Sequence, residues 1–118
     1  MAAAPGGAAG VVIMGDLNAP EGEPAHGVLA ARGYASAHRA AHGAEPKATW
    51  PSGLVAPLAD RGDPHCADYV YFAAAAGYRI AVIAAGLAGD APSPADATLY
   101  ASDHLALRVA LRVSRAAG

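Results

Sequence analysis

Cysteine, lysine and long apolar runs are what this sequence has least of. Its 118 residues hold one cysteine, Cys66, so no internal disulfide can form. A single thiol in such a chain reads as a small buried hydrophobe, and nothing requires an oxidising compartment. Lys47 is the only lysine, and eight basic against ten acidic residues leave a formal net charge of −2. With a pI near 6.2 there is no global basic field to gather nucleic acid, and charge alone names no partner. No stretch approaches the ~20 uninterrupted apolar residues of a membrane-spanning helix. Residues 1–10 form an Ala/Gly/Pro leader without Lys or Arg, so they lack the charged start of a secretory signal and read as a flexible lead-in. The default expectation is a soluble, cytoplasmic protein, with the localisation of any longer parent open.

The length fits one small domain or a piece of one. Val11, Val12, Ile13 and Met14 form a largely β-branched run ended by Gly15, which predicts a strand buried on both faces. A turn-rich segment leads to Pro24, placed for the first turn of a helix running through Val28 and Leu29 to Arg32, with Gly33 as its cap. A second short helix is predicted over 35–42. Residues 45–64 carry Pro46, Pro51, Pro57 and Pro64 and read as loop, and a long loop in a compact domain is often functional. The run from Ala67 to Phe72 predicts a strand, and Tyr78 to Ile83 a second one paired with it as a hairpin. Residues 86–97 read as another loop. Leu105, Leu107, Val109, Leu111 and Val113 alternate with Ala106, Arg108, Ala110 and Arg112, the clearest strand signal in the chain. The expected organisation is a leader over 1–10, one α/β (α+β) domain over 11–113 with mainly antiparallel strands and one or two helices outside, and a frayed tail over 114–118.

Three acidic signatures sit beside these strands: Gly15-Asp16-Leu17-Asn18, Asp68-Tyr69 and Ser102-Asp103-His104. Strand ends are where α/β proteins gather polar groups from distant parts of the chain. If the extended geometry continues past Gly15, Asp16 and Asn18 point the same way and present a carboxylate and an amide. One can take a proton from water and the other can donate to a phosphate oxygen. A carboxylate beside an imidazole orients it and favours its protonated form, which couples Asp68 to His104. In extended backbone Asp103 points away from His104 and is free to face a hard cation such as Mg²⁺. Together the groups suit phosphodiester hydrolysis.

In this order and spacing, Met14-Gly15-Asp16-Leu17-Asn18, Ala67-Asp68-Tyr69-Val70-Tyr71-Phe72 and Ser102-Asp103-His104-Leu105-Ala106-Leu107 resemble the C-terminal half of the endonuclease/exonuclease/phosphatase superfamily, the deoxyribonuclease I-like fold. Thr49-Trp50-Pro51-Ser52-Gly53 is similar to the Thr-aromatic-Pro stretch that some members carry before the Asp-Tyr strand. The resemblance implies half of a β-sandwich and a metal-dependent phosphodiesterase or phosphatase. Asp16 would position or deprotonate the attacking water, Asn18 would bind phosphate, Asp68 would orient His104, His104 would contact the phosphoryl group, and Asp103 would belong to the metal site. In the family a metal-binding Glu and an early Asn come from an N-terminal half, against which this chain sets only residues 1–10. The resemblance therefore implies that Mg²⁺ or Mn²⁺ binds weakly without that half, and that an apolar sheet face is covered by it or by a second copy.

Two functional readings follow: a phosphoester hydrolase that needs a separate N-terminal half, or a non-catalytic remnant acting as a small binding or dimerisation module. The substrate class is open, since selectivity falls to 45–64 and 86–97, whose only basic residues are Lys47 and Arg61. His38 and His42 are spaced i, i+4, but Arg39 stands where a His-Glu-x-x-His zinc motif has its Glu, so they read as solvated helix histidines. Asp60, Asp63 and His65 read as polar loop residues. Trp50 and Tyr34 read as core anchors, and His26 carries no signal of its own.

Overall fold

The computed structural model describes residues 5–53 and 62–117. After a 3-10 turn over Pro5–Gly7 come β1 (Gly10–Asp16), α1 (Pro24–Ala31), β2 (Ala35–Ser36), α2 (Ala37–His42), β3 (Asp68–Ala74), β4 (Tyr78–Ala88) and β5 (Ala106–Arg115). The strands form two sheets, ordered β1-β3-β2 and β4-β5, with every pairing antiparallel. This is the mixed α+β architecture expected. Of the long loop, residues 54–61, with Pro57, Asp60 and Arg61, lie outside the described residues.

β3 is the centre of the molecule. Tyr69, Tyr71 and Cys66 form the buried cluster, against which Ile13, Leu17, Leu29 and Tyr34 pack. Burial raises the pKa of both phenols and of the Cys66 thiol, so all three stay protonated at neutral pH. The helix α1 ends where Gly33 adopts φ 83°. Gly33 N–H donates to Ala30 O and Tyr34 N–H to Leu29 O, the reciprocal pair that closes a helix and turns Tyr34 back onto the core.

Five expectations are corrected. β1 is not buried on both faces: it is a sheet edge, Ile13 meets the core, and Met14 on the opposite face is 71 % exposed because β4 and β5 pack mainly on β3 and meet β1 only near its start at Gly10. β3 and β4 do not pair, since both edges of β3 are taken by β1 and β2; the chain turns at Gly77 and β4 crosses to pair with β5. Ala35 and Ser36 are strand, paired with Phe72 and Tyr71, and the Ser36 hydroxyl accepts from Arg39 N–H, so the second helix starts at Ala37. Residues 86–88 belong to β4, and 114–115 pair with Arg79 and Tyr78, extending the last strand beyond the expected fray point. The two sheets approach closely at Gly10, where a Cβ would lie 2.6 Å from Ala73 O and 2.7 Å from Ile80 Cδ1. Only glycine fits there. No helix among the described residues is long and apolar enough to cross a membrane.

Candidate functional site

Antiparallel register puts Asp16 opposite Asp68, so the end of β1 and the start of β3 present two carboxylates at one edge of the sheet. The third segment arrives through the strip at residues 49–52. On one side this strip bonds to His65, with Trp50 N–H to His65 O and His65 N–H to Trp50 O. On the other it holds the last signature, with Leu105 N–H to Thr49 O at 2.7 Å and Ser52 N–H to Asp103 O at 2.8 Å. This lattice delivers His104 to Asp68. His104 Nδ1 lies 2.7 Å from Asp68 Oδ2, and Nε2 lies 3.9 Å from Asp16 Oδ2. Ligand atoms of Asp16, Asp68 and His104 all fall within 4.8 Å of one another.

The short contact fixes the chemistry of the ring. A carboxylate only accepts, so Nδ1 carries the proton and Nε2 faces Asp16. The pKa of His104 is raised above its ordinary 6.5, first by the hydrogen bond to Asp68, opposed by partial burial, then by the negative charges of Asp68, Asp16 and Asp103. The protonated ring is thereby favoured. Asp68 is itself held from behind: the hydroxyl of fully buried Thr49 accepts from the backbone N–H of Ala67 at 2.9 Å and of Asp68 at 3.1 Å.

The Asp16 and Asn18 side chains are not aligned by a continuing strand. β1 ends at Asp16, Asn18 takes φ 48°, and its backbone N–H donates to Asp16 Oδ1 at 2.6 Å. This tight Asx turn, which asparagine tolerates better than most residues, replaces the predicted alternation. Asn18 nonetheless lines a 290 Å³ cavity with His104, Trp50, His65 and Ala67. Asp103 stands apart from the three-residue cluster. It lies in a bend, not in extended backbone, and its carboxylate accepts from Trp50 Nε1 and from the Ser102 hydroxyl, both at 3.4 Å.

Residues given no functional reading also belong here. Trp50 and His65 line the cavity, their rings 5.5 Å apart, so Trp50 is a wall of the site more than a core anchor, whereas Tyr34 does pack on the core. His26 Nε2 lies 2.9 Å from Ala19 O, so that nitrogen must donate, and its Nδ1 accepts from Tyr71 O–H at 2.7 Å. The ring thereby ties the backbone next to Asn18 to the core, a role visible only once Tyr71, 45 positions away, is placed. A larger cavity of 410 Å³ lies on the helix side among His26, Tyr34, Arg39, Glu45 and Tyr71. Its histidine is internally paired and Arg39 bridges to Glu21 and Glu45, while the second carboxylate oxygen of buried Glu45 has no hydrogen-bond partner among the described residues.

For a hard cation the donor kind is right. Asp16 and Asp103 are carboxylates with access to solvent, and the bonds on Asp103 are long, leaving lone pairs on its oxygens. No family model, curated protein or solved structure matches the chain.

Proposed function

We propose that this chain carries the hydrolytic centre of a metal-dependent phosphoesterase, the C-terminal half of a deoxyribonuclease I-like sandwich. The observation that supports it most is the 2.7 Å bond between Asp68 and His104 with Asp16 facing the other ring nitrogen, three groups brought from distant points of the sequence into one cluster at the sheet end. Asp68 orients the ring and holds its Nδ1 proton. His104 offers Nε2–H to a phosphoryl oxygen, Asn18 offers its amide to another, and Asp16 takes a proton from the attacking water. Three carboxylates against one imidazolium leave the site anionic, so a phosphodiester would be repelled without a cation. Mg²⁺ or Mn²⁺ held through Asp103 would supply that charge and polarise the phosphoryl group.

Hydrolysis of bis(p-nitrophenyl) phosphate with Mg²⁺ or Mn²⁺ tests this directly on the protein in its natural full length. Asp16→Asn and His104→Ala should each lower kcat by ~10²-fold or more. Activity that survives both substitutions sinks the reading. The alternative, a non-catalytic binding or dimerisation module, takes the exposed apolar side chains Met14, Ile83 and Val113 as its docking surface. It predicts no turnover at any metal concentration, and it assigns those side chains to a covering second half or a second copy.

A further inference from the structure

The geometry points to a separate two-imidazole metal site at His38 and His42 on α2, suited to a borderline divalent transition ion (Cu²⁺, Ni²⁺ or Zn²⁺). We propose that the ion binds through His38 Nε2 and His42 Nδ1. The two rings share one face of the helix, with centroids 4.4 Å apart. Each is already anchored through its other nitrogen: His38 Nδ1 lies 2.7 Å from Ala44 O and His42 Nε2 lies 2.5 Å from Ala85 O on β4.

A carbonyl oxygen can only accept, so both of those nitrogens are N–H donors, and in the neutral rings the lone pairs sit on the opposite nitrogens. Among the described residues, those two nitrogens have no protein partner. Donation of the second ring N–H to a backbone carbonyl is the arrangement that metal-binding histidines show almost universally, because it fixes the tautomer and raises the basicity of the free nitrogen.

The neighbours agree. Arg39, between the two histidines in sequence, directs its guanidinium to Glu21 and Glu45, so its charge is neutralised there. No third His, Cys, Asp or Glu joins the pair among the described residues. Two imidazoles without a carboxylate do not suit Mg²⁺, which wants oxygen, but they suit Cu²⁺ best, then Ni²⁺ and Zn²⁺, with water completing the shell. The site is thus chemically distinct from the aspartates at the sheet edge, and it stands whether or not the chain is a hydrolase.

The test is a titration of the isotopically labelled chain with CuCl₂ at neutral pH, followed by amide NMR, with the affinity for NiCl₂ and ZnCl₂ measured by calorimetry. The expected result is selective broadening of α2 and of Ala85 at substoichiometric Cu²⁺, and a loss of affinity of at least about tenfold in His38→Ala and in His42→Ala. MgCl₂ should leave α2 signals unmoved. If His42→Ala fails to fold because its bond to β4 is lost, His38→Ala decides alone, since its partner Ala44 lies just past the cap of the same helix and not on another sheet. Broadening that spares α2, or a His38→Ala variant that titrates like the parent, overturns the proposal.

Discussion

β3 and β5 carry the same kind of sequence, apolar residues at alternate or successive positions in a strand, yet they end in different environments. Tyr69, Val70, Tyr71 and Ala73 of β3 are buried, and Tyr69 is only 2 % exposed. No residue of β5 is fully buried, and Val113 is 52 % exposed. The difference is one of neighbours. β3 has a strand on each edge and helix-side packing on one face, whereas the β4–β5 ribbon has two strands and partly covered faces. The candidate site lies on the seam between them: Asp68 and Thr49 belong to the rigid floor, and His104 arrives just ahead of the looser ribbon. A well-ordered carboxylate orients an imidazole whose own strand is less well held.

The largest effect that should expose this contrast is truncation of Tyr69. Tyr69→Ala removes a buried ring whose hydroxyl donates to Cys66 O at 3.0 Å. It should cost about 3–5 kcal/mol of unfolding free energy. Leu87→Ala on the ribbon, at a side chain more than one-third exposed, should cost less than about 1 kcal/mol. Urea denaturation of both variants checks the pair, and equal costs would erase the distinction between floor and ribbon.

Thr49→Val comes next. The change keeps the shape but removes the hydroxyl that accepts from Ala67 and Asp68 N–H. Leaving those donors unpaired should cost about 1–3 kcal/mol in the same unfolding assay. It should also loosen Asp68, so His104 should titrate closer to its ordinary value, a readout that simple loss of packing would not move.

Asp68→Asn tests the seam directly. The native state protonates His104 more readily than the unfolded chain does, because its pKa is raised. The pair therefore contributes its full stabilisation below the ordinary imidazole range and loses it as pH rises through the raised native value. Removing the carboxylate should lower the His104 pKa in an NMR titration and flatten the dependence of Tm on pH across that window. An unshifted titration would mean that Asp16 and Asp103, rather than Asp68, set the proton affinity.

Much of this arrangement was legible in the sequence, for local reasons. The alternation in β5, the strand from Asp68, the helix from Pro24 and its cap at Gly33 all follow from side-chain period and backbone preference over a few residues. The neighbourhood of Asp68 and His104 was also within reach, because each sits at a strand boundary that the pattern marks. What was not legible depended on who pairs with whom. The β3–β4 hairpin failed because a turn at Gly77 says nothing about whether the edge of β3 is free. The apolar run in β1 could not announce an edge strand, since Val12 and Met14 look like core residues until the absent neighbour is known. The roles of Trp50, His65 and His26 rest on partners many positions away, and no period or spacing encodes them.

The smallest effect concerns the uncovered face of the ribbon, and it bears on which functional reading is right. Val113 lies opposite Ile80 on the apolar side of the β4–β5 pair and is largely open to solvent. In an isolated chain, Val113→Thr replaces one methyl by a hydroxyl that water can satisfy, so the cost should stay below about 0.5 kcal/mol. The same substitution beneath a second copy would bury that hydroxyl and weaken association, and the parent's Tm would then rise with protein concentration while the variant's would rise less. Melting both proteins at two concentrations separates the cases. A concentration-independent, near-neutral change shows that no second copy covers the ribbon and leaves it an open face in the isolated chain. A concentration-dependent loss above about 1 kcal/mol would show that a second copy already covers it, and the contrast between the two strands would then belong to the isolated chain alone.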